Sequence, residues 1–271
     1  MNKIPIQDSI ESMTSEVYKN YTKKLNQANE DTKKLNSIPH LKLDLPNFNY
    51  NVAYQEITKA IGDNFTPIEC CDYTNIKGIR TKHDTWSSSA LVNYIPYSDR
   101  YFSYYDREDS AVNFPNLQPE AYELFKSNKP IGYKHMRYYK TEIYKKMSYI
   151  TSYLEKYVYN TSYRVLIWKL AAGGSIGWHH HSNKQGNTDI NDNIIVHLPV
   201  MSHPDVKMMV RINNNLYEEY YAPGNAYIFN SVYDHAVINN SNVDRLHIIA
   251  MLPFKDEKIW KIIKKSFKNY D

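Results

Sequence analysis

The sequence predicts a mainly β protein with flanking helices, its core an antiparallel barrel or jelly roll. Two observations carry this prediction. Beyond residue 160, short apolar runs recur at Tyr163 to Leu170, Asn193 to Val200, Val206 to Ile212, Ala226 to Asn230 and Leu246 to Leu252. Turn formers separate them, at Gly173-Gly174, Asn213-Asn214-Asn215, Pro223-Gly224 and Asn239-Asn240-Ser241. Evenly spaced strands joined by polar turns are the pattern of a sheet folded onto itself.

The remaining elements follow in chain order. Residues 1–36 read as an N-terminal helical arm, with Ile10, Met13, Val17 and Tyr21 at helical spacing in a lysine-rich stretch. Residues 37–160 read as a mixed α/β portion packing on the core. Leu41, Leu43 and Leu45 alternate as a short strand ended by Pro46, and residues 51–61 form a helix. Ser89 to Ile95 is a strand candidate, and 105–109 is a charged loop beside aromatics. From Lys140 to Tyr157, Ile143, Met147, Ile150, Leu154 and Val158 line one face of the strongest helix pattern. Residues 161–254 form the β core. Residues 255–271 place Ile259, Ile262, Ile263 and Phe267 on one stripe with lysines opposite, an amphipathic helix packed on that core.

Composition narrows the functional classes. The 42% apolar content of 271 residues supports a packed core. A formal charge of +4, spread along the chain, lacks the concentrated basic stripe of a nucleic-acid binder. Cys70 and Cys71 are neighbours and cannot form an ordinary disulfide, so a reduced compartment is expected. The first residues lack the apolar run of a signal peptide. No apolar stretch approaches the ~18 residues of a membrane span. The expectation is a cytoplasmic protein acting on a small-molecule or peptide substrate, with oligomeric state open.

Chemistry concentrates in four residues. His179 and His181 sit one residue apart on a turn leaving a strand-like run, so their side chains point the same way. His235 is a distant third imidazole, and Arg245 follows it by ten residues. Three imidazoles suit iron, zinc, copper or nickel, and histidines from separate strands leave coordination positions open for substrate or oxygen. A guanidinium nearby suits a carboxylate. The pattern points to non-haem iron chemistry on a β-barrel. By strand alternation His180 faces away from His179, and His203 and His40 read as ordinary core or surface histidines. His247 shares a strand face with Arg245, and a core role suits it equally. The tyrosines between Tyr94 and Tyr105 read as a packing surface.

Residues 163–254 resemble the aspartyl/asparaginyl β-hydroxylases among the Fe(II)/2-oxoglutarate-dependent dioxygenases. The resemblance rests on Ala-Gly-Gly-Ser-Ile-Gly-Trp-His (172–179), Ile-Ile-Val-His-Leu-Pro-Val (194–200), Pro-Gly-Asn-Ala-Tyr-Ile-Phe-Asn-Ser (223–231), His-Ala-Val-Ile-Asn-Asn-Ser (235–241) and Arg-Leu-His-Ile (245–248). Trp86-Ser-Ser fits more loosely. The resemblance implies a double-stranded β-helix, cupin-like in architecture. It also implies hydroxylation of an amino acid or peptidyl side chain of the Asp, Asn or Pro type. His179 and His235 match the iron ligands, Arg245 the partner of the 2-oxoglutarate distal carboxylate, and His197 a residue holding that cosubstrate. Asn239 matches a residue fixing the turn before the last strand. Two positions depart. Ile195 stands where an arginine is frequent, and His181 stands where some members have aspartate, so either His181 completes a three-histidine site or water takes that place. Asp189 and Asp192 lie in the following loop, which reads as a lid. Two other readings remain. A three-histidine cupin would not use 2-oxoglutarate, although the glutamate expected between Ser182 and Thr188 is missing. A degenerate fold would only bind ligand.

Overall fold

The computed structural model describes residues 26–68, 84–93, 138–160, 162–179, 193–212 and 215–270, with Lys23, Ile79, Thr81 and Lys82. The elements in order are α1 (Glu30–Ser37), β1 (His40–Lys42), α2 (Tyr50–Ala60), β2 (Thr66–Pro67), β3 (Trp86–Asn93) and β4 (Tyr139–Lys140). Then come α3 (Glu142–Lys146), α4 (Ser148–Tyr153), a π-helical turn (Leu154–Val158), β5 (Arg164–Leu170), β6 (Ser175–His179) and β7 (Asn193–Met201). The chain continues through β8 (Val206–Ile212), β9 (Asn215–Glu219), β10 (Tyr227–Phe229), β11 (Asp234–Asn239), β12 (Arg245–Pro253) and α5 (Glu257–Ser266).

Two antiparallel sheets face each other. The larger runs β1-β10-β7-β12-β5-β3-β2 with β4 beside β3, and the smaller runs β6-β11-β8-β9. From β5 to β8 successive strands alternate between the sheets, and from β10 to β12 they alternate again. That connectivity is a double-stranded β-helix, so the expected jelly-roll core is present.

Strand alternation sorts the larger sheet into two faces. On β12, Leu246, Ile248, Ala250 and Leu252 pack with Ala53 and Ile57 of α2, Ile150 of α4 and Ile259 and Ile263 of α5. Each large side chain there contributes roughly 2 kcal/mol by burial. The opposite residues of β12, Arg245, His247, Ile249 and Met251, face the smaller sheet and are all buried. The inner space is therefore closed by apolar packing on the outside, while its own lining can be polar.

Two sequence expectations need correction. The single helix expected over residues 140–157 is divided. Thr141 caps α3 by accepting from the Tyr144 amide, and Met147 leaves helical geometry at φ −116°, ψ 60°. The Glu56 carboxylate then accepts from the amides of Tyr149 and Ile150 at 2.8 and 3.1 Å, restarting the helix as α4. The apolar stripe survives these breaks, because Ile143, Met147, Ile150, Leu154 and Val158 all remain buried. The strand expected around Leu41 to Leu45 forms ladder pairs only over His40–Lys42 against β10. Gly224 closes the turn before β10 at φ 81°, a conformation side chains disfavour, with the Phe48 carbonyl 3.0 Å from where a Cβ would lie.

Candidate metal centre and anion chamber

The metal-type histidines come from neighbouring strands of the smaller sheet. His179 ends β6, His235 lies near the start of β11, and the two are direct register partners. Their ring centres are 4.2 Å apart with the planes inclined at 56°. Each ring places Nδ1 2.8 Å from the carbonyl two residues back, Gly177 for His179 and Tyr233 for His235. A nitrogen facing a carbonyl must donate, so Nδ1 carries the proton and Nε2 the lone pair. This orienting bond is what metal-binding imidazoles use. Two imidazoles on adjacent positions of one ion, at about 2.0–2.1 Å each, place their ring centres about 4–5 Å apart. The observed pair fits that requirement.

His181 and His180 lie outside the described residues, as do Asp189, Asp192, the lid-like loop and the Cys70-Cys71 pair. Among the described residues no group of three His, Cys, Asp or Glu side chains is placed to hold a metal.

From the histidine pair a polar path leads between the sheets. Phe229 packs against His235 at 4.7 Å and against His197 at 4.9 Å between ring centres. His197, on β7, is 1% exposed and lies 6.0 Å from His247 and 6.5 Å from Trp168. At the far end, Arg245 is 1% exposed. Its Nη2 donates to His247 Nδ1 at 2.9 Å and lies 3.5 Å from the Met208 sulfur of the smaller sheet. Its Nε and Nη1 are buried without hydrogen-bond partners, and no carboxylate pairs with it among the described residues. Burial pulls this guanidinium down to about 9, with the Tyr221 hydroxyl acting in the opposite direction. It remains charged at neutral pH.

A buried cation with no counter-ion among the described residues is costly, and an anion placed beside it would offset that cost. The chamber's other polar atoms agree. Because His247 accepts at Nδ1, its Nε2 is a donor, and it too is buried without a partner. Burial, then Arg245 and His197, hold His247 well below the ordinary histidine range. The register aligns Ser88, Trp168 and His247 on neighbouring strands, with Trp86 near Arg245 across Leu170. The indole nitrogens of Trp86 and Trp168 and the Ser88 hydroxyl are also buried and unpartnered. Apart from that hydroxyl, these atoms can only donate. An acceptor-rich ligand such as a carboxylate meets that set.

The structure thus brings His179, His235, His197 and Arg245 around one inter-sheet space. Ile195 stands in an apolar cluster with Ala90, Leu166, Ile249 and Met251, so its position offers no cation. Asn239 donates to the carbonyls of Leu170, Ala171 and Val243 and accepts from the Ser241 amide and hydroxyl, bracing the turn before β12. His40 bonds the Tyr221 hydroxyl at 2.9 Å, and His203 lies at the surface near Asp205. The sequence reading missed Ser88 and Trp168. Only the loose Trp86-Ser-Ser match pointed there, because inward orientation depends on sheet register.

No protein-family model matches the chain, and no curated protein matches it. Solved structures do. A prolyl hydroxylase in complex with a hypoxia inducible factor oxygen degradation domain peptide fragment from Trichoplax adhaerens is 12% identical, covering 89% of this chain and 94% of that one at a TM-score of 0.43. An oxidoreductase of the 2OG-Fe(II) oxygenase family from Burkholderia pseudomallei is 9% identical, covering 84% and 94% at a TM-score of 0.43. A cupin domain from Bordetella pertussis Tohama I is 21% identical, covering 32% of this chain and 79% of that chain at a TM-score of 0.25.

Proposed function

We propose that this chain is an Fe(II)/2-oxoglutarate-dependent dioxygenase that hydroxylates an amino acid or peptidyl side chain. The observation that carries the reading is the Arg245 fork. It is buried, charged and, among the described residues, without a carboxylate partner, in the same inter-sheet space as an oriented histidine pair.

His179 and His235 hold the ion through Nε2, with His181 or water completing the protein's share of the coordination. When bound, the ferrous ion and 2-oxoglutarate supply the oxidising power that inserts one oxygen atom of dioxygen into a C–H bond and leaves succinate and carbon dioxide. Arg245 pairs with the outer carboxylate through a charge-assisted hydrogen bond from Nη1 or Nε, the donors that its contacts to His247 and Met208 leave over. His247 keeps the fork in plane through its 2.9 Å contact with Nη2 and offers Nε2–H towards the same anion. His197 and Phe229 lie between the two ends and shield the space from water. The substrate class follows from the sequence resemblance alone.

The test is turnover of 2-oxoglutarate to succinate by the ferrous-loaded protein, followed by NMR. Succinate formation that requires iron and is lost in His235→Ala supports the assignment. Iron binding without succinate formation, across a panel of Asp, Asn and Pro peptides and free amino acids, favours a metalloprotein that does not use 2-oxoglutarate.

A further inference from the structure

The outer face of the smaller sheet carries a device that the metal reading does not require. Strand alternation places Trp178 and Asp234, the residues just before His179 and His235, on the face opposite the two imidazoles. Arg211 on β8 is the register partner of Asp234, so its backbone lies beyond β11 as seen from β6. Its guanidinium nevertheless lies over the Trp178 ring, with Cζ 4.4 Å from the ring centre. Strands lie about 4.8 Å apart, so the Arg211 and Trp178 side chains together bridge the width of β11 between β8 and β6. The crossing passes the outward residues of β11, Asp234 and Ala236, and Ala236 is fully buried against Trp178 and Met209.

We propose that Arg211 is a positioning strap, holding the ends of β6 and β11 together so that His179 and His235 keep the spacing one metal ion needs. This inference rests on the metal reading of the histidine pair. Three features favour it over simple packing. The β6–β11 ladder loses register between His235 and Val237, so the imidazole pair sits beside a break in its own hydrogen bonding. The β11–β8 ladder is continuous from Asp234 to Asn239, which makes β8 a firm anchor for a strap. Arg211 is also an expensive way to fill that face. Its Nη1 is buried without a partner, and burial lowers its pKa while Asp234 opposes that effect. Met209, two residues earlier on the same face, fills its place with apolar atoms.

The test compares Arg211→Met, which keeps an unbranched apolar stem but loses the charge and the flat stacking surface, with Ala236→Leu, which leaves Arg211 intact and obstructs its path. Lys207→Met removes a cation from the same face of β8 and serves as the control. Cobalt(II) affinity is read from the visible spectrum of the bound ion, and amide exchange over residues 175–179 and 234–239 is read in the metal-free protein. Both strap variants are expected to bind cobalt about 10–100-fold more weakly, the usual cost of losing a residue that orients metal ligands. Exchange should rise at least tenfold in the two segments, with Lys207→Met unchanged in both readouts. Wild-type affinity and exchange in both strap variants would overturn the proposal. If wild-type protein binds no cobalt, the metal reading fails, and unchanged exchange would then reject the strap separately. Should Arg211→Met not fold, Arg211→Lys carries the test, because it keeps the charge and loses the planar stack.

Discussion

Arg245 Nη2 lies 2.9 Å from His247 Nδ1, two residues along the same face of β12. A guanidinium can only donate, so this contact fixes the histidine as the Nε2–H tautomer. A neutral residue beside a buried cation thereby presents donors to one space without adding a second charge. Whatever completes this chamber must bring negative charge and several lone pairs.

Arg245→Met should therefore separate stability from binding. Removing a buried, uncompensated charge in favour of apolar atoms is expected to leave the fold as stable as before or more stable, by about 1–4 kcal/mol. The same variant should lose the thermal stabilisation that 2-oxoglutarate gives the wild-type protein, about 2.7 kcal/mol at a hundredfold excess over Kd. Differential scanning calorimetry with and without the diacid reads both. A variant that is less stable yet still shifted by 2-oxoglutarate would contradict the assignment of Arg245.

The histidine pair makes a different demand. His179→Ala or His235→Ala should each abolish ferrous binding measured anaerobically, while chemical denaturation shows a loss of about 1–2 kcal/mol, typical of a single substitution. Retained iron in both variants would place the metal elsewhere.

Acid should weaken the fold through His40. Burial lowers its pKa to about 4, with a backbone bond to Tyr217 opposing that shift. Between pH 4 and 6.5 the unfolded chain binds a proton that the native protein does not, so stability rises with pH across this window and is complete above it. The full effect is roughly 3 kcal/mol at most. His247, also depressed, adds in the same direction. Urea unfolding at several pH values should show this slope, and His40→Gln should flatten it. An identical slope in that variant would assign the effect to other groups.

Asn239 offers a structural test. Asn239→Asp replaces a donor shared among three carbonyls with a carboxylate oxygen facing them. A loss of about 3 kcal/mol or more is expected from stranding buried acceptors and a buried charge together. Asn239→Ala should cost less. If the aspartate variant is as stable as wild type, the turn before β12 is not braced as described.

Legibility in the sequence followed burial pattern. The larger sheet was readable because β5, β7 and β12 are buried on both faces and appear as continuous apolar runs. In the smaller sheet only β8 shows such a run. The strand β9, Asn-Leu-Tyr-Glu-Glu, is a largely exposed edge, β6 carries a glycine at its centre, and β11 begins Asp-His. The strands carrying the candidate ligands were thus weakly marked as strands, and their histidines stood out through the His179-x-His181 pair, the spacing of His235 to Arg245 and the motif resemblance instead. Nothing local marked the break at Met147, because it depends on Glu56, distant in sequence, capping the restarted helix. The strap across β11 was likewise hidden, since Arg211, Ala236 and Trp178 meet only once three strands are in register.

The decisive measurement is ferrous affinity with and without 2-oxoglutarate, by anaerobic calorimetry on wild type and Arg245→Met. A diacid spanning the imidazole pair and the guanidinium links the two sites, so it must tighten iron binding in wild-type protein, and that gain should vanish when Arg245 is replaced. Iron affinity indifferent to 2-oxoglutarate in the wild type would show that the two ends of this chamber do not share a ligand.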